Sequence, residues 1–235
     1  MLPPKRIRNY AVGPEAKIQK QIIDYLQMRG WMVCILHANA HQSGLPDLFI
    51  ARRGLGSRFV EVKQPKKYVF TEAQCEVFSK FAANDVGIWI LTSATEHEYK
   101  KLFNVCNWWA YFEPTKMRSP KLVKKPPEAI GPEADIQRAV IEALEKDGWF
   151  VKVIHCDMYQ VGLPDILACK RGEGIRWVEI KNPKHYRFTA GQFETFPRLA
   201  AEGVGVWILT SSDQLELLNG PANWWEFMYG NKGAT

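Results

Sequence analysis

The sequence predicts an α/β fold, a unit of one helix, three strands, a helix, a strand and a last helix on a mixed sheet, duplicated in tandem. Three observations predict the duplicated α/β core. The first is an internal repeat, sought before anything else. Gly13-Pro-Glu-Ala-Lys-Ile-Gln19 returns as Gly131-Pro-Glu-Ala-Asp-Ile-Gln137, and Val86-Gly-Ile-Trp-Ile-Leu-Thr92 returns as Val204-Gly-Val-Trp-Ile-Leu-Thr210, both offset by 118. Over residues 13–95 and 131–213, 41 of 83 positions are identical. The second is a switch within each copy from helical to alternating apolar spacing. The third is composition: 46% apolar and 24% charged residues supply enough material for real cores and argue against disorder.

The elements follow in order. Residues 1–12 form a basic arm with Pro3-Pro-Lys-Arg-Ile-Arg8. The first copy spans 13–109. Glu15 to Arg29 places Ile18, Ile22, Ile23 and Leu26 on one helical face, with Pro14 suited to the first turn and Gly30 to the stop. Trp31 to Leu36 is a short apolar strand, followed by a loop with Gly44. Asp47 begins the next strand, residues 52–56 make a turn, and Arg58 to Lys63 alternates as a third strand. Thr71 suits the cap of a helix carrying Gln74, Val77, Phe78 and Phe81. Residues 86–92 read as a buried fourth strand and 95–103 as a last helix. Three strands with short links suggest an antiparallel meander, and the crossover to the fourth suggests a mixed sheet with helices on it. A Pro/Lys-rich linker, 110–130, is expected to be extended and poorly packed. The second copy spans 131–229 and a tail 230–235. Asn107-Trp-Trp109 matches Asn223-Trp-Trp225 at an offset of 116, so the second copy is two residues shorter near its end.

Charge and cysteine usage narrow the function classes. The chain carries a net charge of +6. Residues 13–109 hold 12 basic and 9 acidic groups, and residues 131–235 hold 11 and 14. The basic excess lies in the first copy, the arm and the linker, which suits a polyanionic partner; a solubilising linker is the plainer reading of the last. Apolar runs such as 86–91 are far below the roughly 18 residues of a membrane span. No secretion signal is read at the N-terminus. Five cysteines without a CxxC pair give neither zinc-ligand spacing nor a disulfide framework, so a reducing cytoplasm is the expected setting.

The residues that carry chemistry lie in the duplicated segments. Glu61 and Lys63 are two apart on one strand and so share a face. If that strand pairs with the preceding one as a hairpin, Asp47 meets Glu61 at one end. Two converging carboxylates repel unless a cation sits between them. Oxygen ligands of this kind suit Mg²⁺ or Mn²⁺, and a metal so held polarises a phosphodiester and supplies hydroxide near neutral pH. Lys63 is placed to orient the attacking water or to stabilise charge building on the phosphorus centre. Glu15 offers a third carboxylate; its other reading is a first-turn acid favoured by the helix dipole. A strand-edge ion pair is the plain alternative for Asp47, Glu61 and Lys63. The set recurs in frame as Asp165, Glu179 and Lys181, with Glu133 in the place of Glu15, although about half of the positions have diverged.

Gly-Leu-Pro-Asp, a 13-residue gap and Glu-x-Lys, with a Glu on the first helix and a Gln on the next, resembles the PD-(D/E)XK nuclease superfamily, and more narrowly the VRR-NUC (virus-type replication-repair nuclease) domains. The resemblance covers 13–93 and again 131–211. It implies an α/β restriction-endonuclease-like αβββαβ core with a mixed sheet, duplicated in tandem here as a pseudo-dimer. It also implies Mg²⁺- or Mn²⁺-dependent phosphodiester cleavage, a partner in branched or double-stranded DNA, and a role of the DNA repair or recombination type, with a phage as a fitting source. Small members of the family act as homodimers, so one chain would supply both halves. Carried over by position, the metal and catalytic residues are Glu15, Asp47, Glu61 and Lys63 with Gln74 in support, and Glu133, Asp165, Glu179 and Lys181 with Gln192.

Other residues enter more weakly. His37 and His155 match across copies near the end of the first strand and could touch a phosphate or a bound water; a polar strand-end residue is the alternative. His41 matches Tyr159 and so serves no shared mechanism. Lys66, Lys67 and Tyr68, and Lys184, Tyr186 and Arg187, follow the Glu-x-Lys strand and are candidates for gripping the scissile strand, against an ordinary solvated turn. Trp108-Trp109 and Trp224-Trp225 suggest packing, a seal between copies or a wedge at a DNA junction. The expected activity is a structure-specific endonuclease acting on Holliday junctions, forks or flaps, working as a monomeric pseudo-dimer. The alternatives are a sequence-specific restriction-type enzyme and a non-catalytic DNA- or protein-binding module on the same scaffold.

Overall fold

The computed structural model describes residues 14–36, 44–112, 117–118, 131–154 and 162–230. The first half runs α1 (Pro14–Met28), β1 (Met32–Ile35), β2 (Leu48–Arg52), β3 (Gly56–Val62), β4 (Phe70–Thr71), α2 (Glu72–Ala83), β5 (Ile88–Leu91), α3 (Glu96–Lys100), a 3₁₀ turn at 101–103 and α4 (Trp108–Tyr111). A short strand β6 (Met117–Arg118) follows. The second half runs α5 (Pro132–Lys146), β7 (Phe150–Val153), β8 (Ile166–Lys170), β9 (Gly174–Ile180), α6 (Ala190–Ala201), β10 (Val206–Leu209), a 3₁₀ turn at 215–219 and α7 (Trp224–Tyr229). No helix among the described residues is long and apolar enough to cross a membrane.

The α1 helix buries Ile22, Ile23 and Leu26 and stops where Gly30 adopts φ 81°. There Trp31 N–H reaches back to Leu26 O at 3.1 Å, closing the last turn with a left-handed glycine cap. The strands form a four-stranded sheet in the order β1-β2-β3-β5. The first two pairings are antiparallel and β3–β5 is parallel, because α2 carries the chain across the sheet. The second half repeats this as β7-β8-β9-β10, with β9–β10 parallel. The register pairs Leu48 with Val60 in one sheet and Ile166 with Val178 in the other. Asp47 therefore stands across from Glu61, and Asp165 from Glu179.

Strand alternation divides each sheet between two cores. In the first half Ile50, Val60, Val62 and Leu91 pack under α1, and in the second Ile166, Val178, Ile180 and Leu209 pack under α5. The opposite faces of both sheets belong to a single apolar cluster, which holds Phe49, Phe59 and Phe81 together with Leu167, Trp177 and Leu199. Phe49 meets Trp177 edge-on at 5.0 Å, and Phe81 meets Phe150 at 5.7 Å. At the margin Arg53 N–H donates to Glu202 Oε2 at 2.7 Å, and Arg171 N–H to Asn84 Oδ1 at 3.1 Å. These two bonds exchange under the repeat, since Arg53 corresponds to Arg171 and Asn84 to Glu202.

Several expectations shift. The expected helix at 95–103 is α3 followed by a 3₁₀ turn, and the second half, two residues shorter there, keeps only the turn. The linker is not wholly unpaired: β6 lies parallel to β4. The linker's first residues, Ala110 and Tyr111, complete α4. Residues 113–116 and 119–130 of the linker, the N-terminal arm and the last five residues lie outside the described residues, as do His37, His41, His155 and Tyr159.

Candidate active sites

Each site begins with a glycine. Gly44 has φ +89° and Gly162 φ +99°, and a Cβ at either would lie 2.4 or 2.3 Å from the carbonyl oxygen of Ala73 or Gly191, in the first turn of α2 or α6. Only glycine allows that approach with that backbone. Leu45 and Leu163 then anchor the loop in the apolar core, and the chain delivers Asp47 and Asp165 to the mouth of the sheet.

In the first site Asp47 Oδ2 accepts a hydrogen bond from Val62 N–H at 2.7 Å, and Asp47 N–H donates to Glu61 Oε2 at 3.3 Å. Glu61 Oε1 accepts from Gln74 Nε2 at 2.5 Å and pairs with Lys63 Nζ at 2.6 Å. The second site repeats the set apart from the aspartate N–H bond to the glutamate, whose Oε2 has no hydrogen-bond partner there among the described residues. Ile180 N–H donates to Asp165 Oδ2 at 2.9 Å, and Glu179 Oε1 receives Gln192 Nε2 and Lys181 Nζ, both at 2.5 Å. The two glutamates are 1% exposed and the two lysines 6%. Each ammonium stands 5.1 Å from an aromatic centroid, Phe70 or Phe188.

The glutamines serve two elements at once. Thr71 caps α2, with Gln74 N–H donating to its hydroxyl at 3.1 Å and Thr71 N–H donating back to Gln74 Oε1 at 3.1 Å. This capping box fixes the side chain so that its amide N–H faces Glu61. Thr189 and Gln192 do the same in the second half.

Burial makes these carboxylates costly as anions. It pushes the Asp47 carboxyl well above the usual carboxylate range, and the Glu61 charge adds to the push. Asp165 is raised to about 6 by burial, and Glu179 to about 8 by burial and then by Asp165. For Lys63 burial favours the neutral form, but Glu61 and Asp47 outweigh it and its pKa is raised. Among the described residues Glu179 Oε2 and Trp177 Nε1 are buried polar atoms with no hydrogen-bond partner. The orphaned Glu179 oxygen, beside a second carboxylate that resists ionisation, fits a divalent cation, which would hold both groups as anions. Among the described residues no cluster of three or more His, Cys, Asp or Glu is assembled for a metal. Glu15 lies near enough to push Asp47 up further. Glu133, its counterpart, is 4.0 Å from Lys181 Nζ. Both glutamates stand at the periphery of the pair.

Lys66 and Lys67, and Lys184 and Arg187, are exposed beside the sites, with Tyr68 and Tyr186 half-buried. The Trp pairs divide their work. Trp108 and Trp224 pack against Phe78 and Phe196 of their own half, and Trp109 and Trp225 stand 55% and 53% exposed. Sequence reasoning did not find the close approach of Gly44 and Gly162, whose signal was the recurrence of the glycine ahead of each Leu-Pro-Asp. It also did not find the aromatic rings under the lysines, although Phe70 and Phe188 recur in frame.

No family model and no curated protein matches this chain. A solved structure described as a VRR_NUC domain is similar to it, at 25% identity over 38% of this chain and 96% of that one, with a TM-score of 0.33.

Proposed function

We propose that the chain is a divalent-metal-dependent DNA endonuclease with two active sites in one polypeptide, its halves (13–109 and 131–229) acting as a pseudo-dimer joined by 110–130. One observation carries the reading: the same buried carboxylate pair, lysine and glutamine is built twice, with matching hydrogen bonds, on the corresponding strands and helices. A duplication leaves surface residues free to drift, and about half of this sequence has drifted, but the polar set has kept both its identity and its geometry. A buried cluster of this kind is poor material for stability alone.

Asp47 and Glu61, and Asp165 and Glu179, would hold Mg²⁺ or Mn²⁺. When bound, the ion supplies Lewis acidity toward a phosphodiester oxygen and lowers the pKa of water. The remaining work falls to the chain. Val62 and Ile180 amides fix one oxygen of each aspartate, leaving the other for the ion. Gln74 and Gln192 hold the glutamates in one rotamer. Lys63 and Lys181 place their Nζ groups next to the pair, where they oppose negative charge gathering on the phosphate as the bond breaks. The exposed Lys66, Lys67, Lys184 and Arg187 meet the flanking backbone phosphates. Two such centres at fixed separation make the second cut effectively intramolecular, which suits branched DNA such as a junction, fork or flap.

The test is a panel of labelled duplex, fork, flap, four-way junction and single-stranded DNA with Mg²⁺, Mn²⁺ or EDTA. Metal-dependent cutting, strongest on branched substrates, is expected. A discrete fragment ladder from linear duplex would replace structure selectivity with sequence selectivity, and absence of cutting on every substrate would remove the nuclease reading.

A further inference from the structure

Among the differences between the rims of the two sites, three residues change together at one point. In the first half Lys63 N–H donates to Leu91 O at 3.1 Å, at the end of β5. The next amide, Thr92 N–H, donates to Glu98 Oε2 at 2.7 Å. The other oxygen of Glu98 pairs with Lys101 Nζ, which also donates to the Tyr111 hydroxyl at 2.9 Å. The Tyr111 ring lies 5.7 Å from Tyr68 and Tyr68 lies 6.0 Å from Phe70, the ring that faces Lys63. The circuit closes on the site, so Lys101 stands at its rim.

The second half, without α3, makes the corresponding bonds here without the charges. Thr210 N–H donates to Gln214 Oε1 at 2.8 Å. Arg58 and Arg176 donate to Leu102 O and Leu218 O, and Trp89 and Trp207 to Asn104 O and Gly220 O. These bonds fix an offset of 116, by which Glu98, Lys101 and Tyr111 become Gln214, Leu217 and Phe227. The fold therefore caps the strand end equally well with a neutral amide. A largely buried carboxylate and an ammonium carry a desolvation cost that the amide avoids. An ammonium has three N–H donors; Glu98 and Tyr111 take one each, and the Lys101 side chain keeps 22% of its exposure.

We propose that the Lys101 ammonium contacts a backbone phosphate of the nucleic acid at the rim of the first site, and that the second site, with Leu217 in its place, grips the substrate more weakly. This rests on the nucleic-acid reading above and assigns the first half as the anchoring one. The charge balance runs the same way, with 12 basic against 9 acidic groups in 13–109 and 11 against 14 in 131–235.

The experiment transplants the second half's own residues. Glu98→Gln, Lys101→Leu and Tyr111→Phe are combined, and binding to a labelled fork and four-way junction is titrated in EDTA from low to high salt. Affinity is expected to fall about tenfold, and the log–log salt slope to drop by about 0.9, one phosphate's worth. Lys101→Arg alone should retain most of both. The reciprocal Gln214→Glu, Leu217→Lys and Phe227→Tyr should tighten binding and steepen the slope. In a chain whose second site carries Asp165→Asn, the triple change should raise KM more than it lowers kcat. Unchanged affinity and slope in both transplants would overturn the inference, as would a triple variant that cannot fold, since the set would then be structural. Lys101-dependent binding without cleavage under any metal keeps this inference and removes the nuclease reading; cleavage with unchanged binding does the reverse. No DNA binding at all overturns both.

Discussion

Gln192 donates its amide N–H to Glu179 at 2.5 Å while its carbonyl oxygen accepts from Thr189 N–H at 3.0 Å. One side chain thus ties the start of a helix to a buried carboxylate. Gln192→Leu should remove both bonds and lower Mn²⁺ affinity at the second site by roughly 10- to 100-fold, the range for partners that orient a metal ligand. Gln74→Leu should do the same at the first. Calorimetric Mn²⁺ titration of each variant checks this, and unchanged Mn²⁺ affinity in both variants would contradict it.

The sites should be separable. Asp47→Asn or Asp165→Asn alone should convert supercoiled plasmid to the nicked form without linear product, and the double variant should be inert. The loss at the altered site should be at least about 10³-fold, as for removal of a group that works as part of a unit. Linear product from either single variant would show that one centre cuts both strands.

Stability should depend on pH through the raised carboxyls. Glu179 is raised to about 8 and Asp165 to about 6 in the folded chain, against ordinary values near 4. The folded state then holds protons that the unfolded chain releases. The metal-free protein keeps the full stabilisation below about pH 4 and loses it as pH climbs toward 8. Mn²⁺ should raise Tm more at pH 8 than at pH 5. Glu179→Gln should flatten the decline in metal-free protein, and an identical pH profile for variant and wild type would contradict the assignment.

Gly44→Ala and Gly162→Ala test how the aspartates are delivered. The new methyl meets a helix carbonyl at 2.4 or 2.3 Å from a left-handed backbone. Each change should cost about 2–4 kcal/mol, read as a fall in denaturant midpoint, and should lower cutting at its own site. A variant as stable as wild type would show that the loop yields freely.

The repeat makes the polar set legible in the sequence: Asp47, Glu61, Lys63 and Gln74 return in frame, and period-two spacing places Glu61 beside Lys63. The β2–β3 pairing is legible too, because the short link between Arg52 and Gly56 forces an antiparallel neighbour, and α2 permits the parallel return of β5; the long link 36–47 leaves the direction of β1 open. What escapes is long-range. Phe59 and Trp177 read as ordinary inward-facing strand residues, and nothing in local spacing says that they belong to one cluster spanning both halves. The 116 offset is visible from Asn107, but only the hydrogen bonds of Thr92 and Thr210, with those of Arg58 and Arg176, show that it already applies at Glu98 and so align Lys101 with Leu217. Nor does Pro/Lys-rich composition reveal that residues 117–118 run alongside Phe70 and Thr71.

The common core behind the two sheets has a consequence for the proposed activity. Because Phe49 sits on Trp177 and Phe81 on Phe150, the separation of the two carboxylate–lysine clusters is a molecular ruler set by side-chain volume. Tether length does not enter it. Lengthening the connecting segment should leave the stagger between paired nicks untouched, whereas trimming Trp177 should blur it.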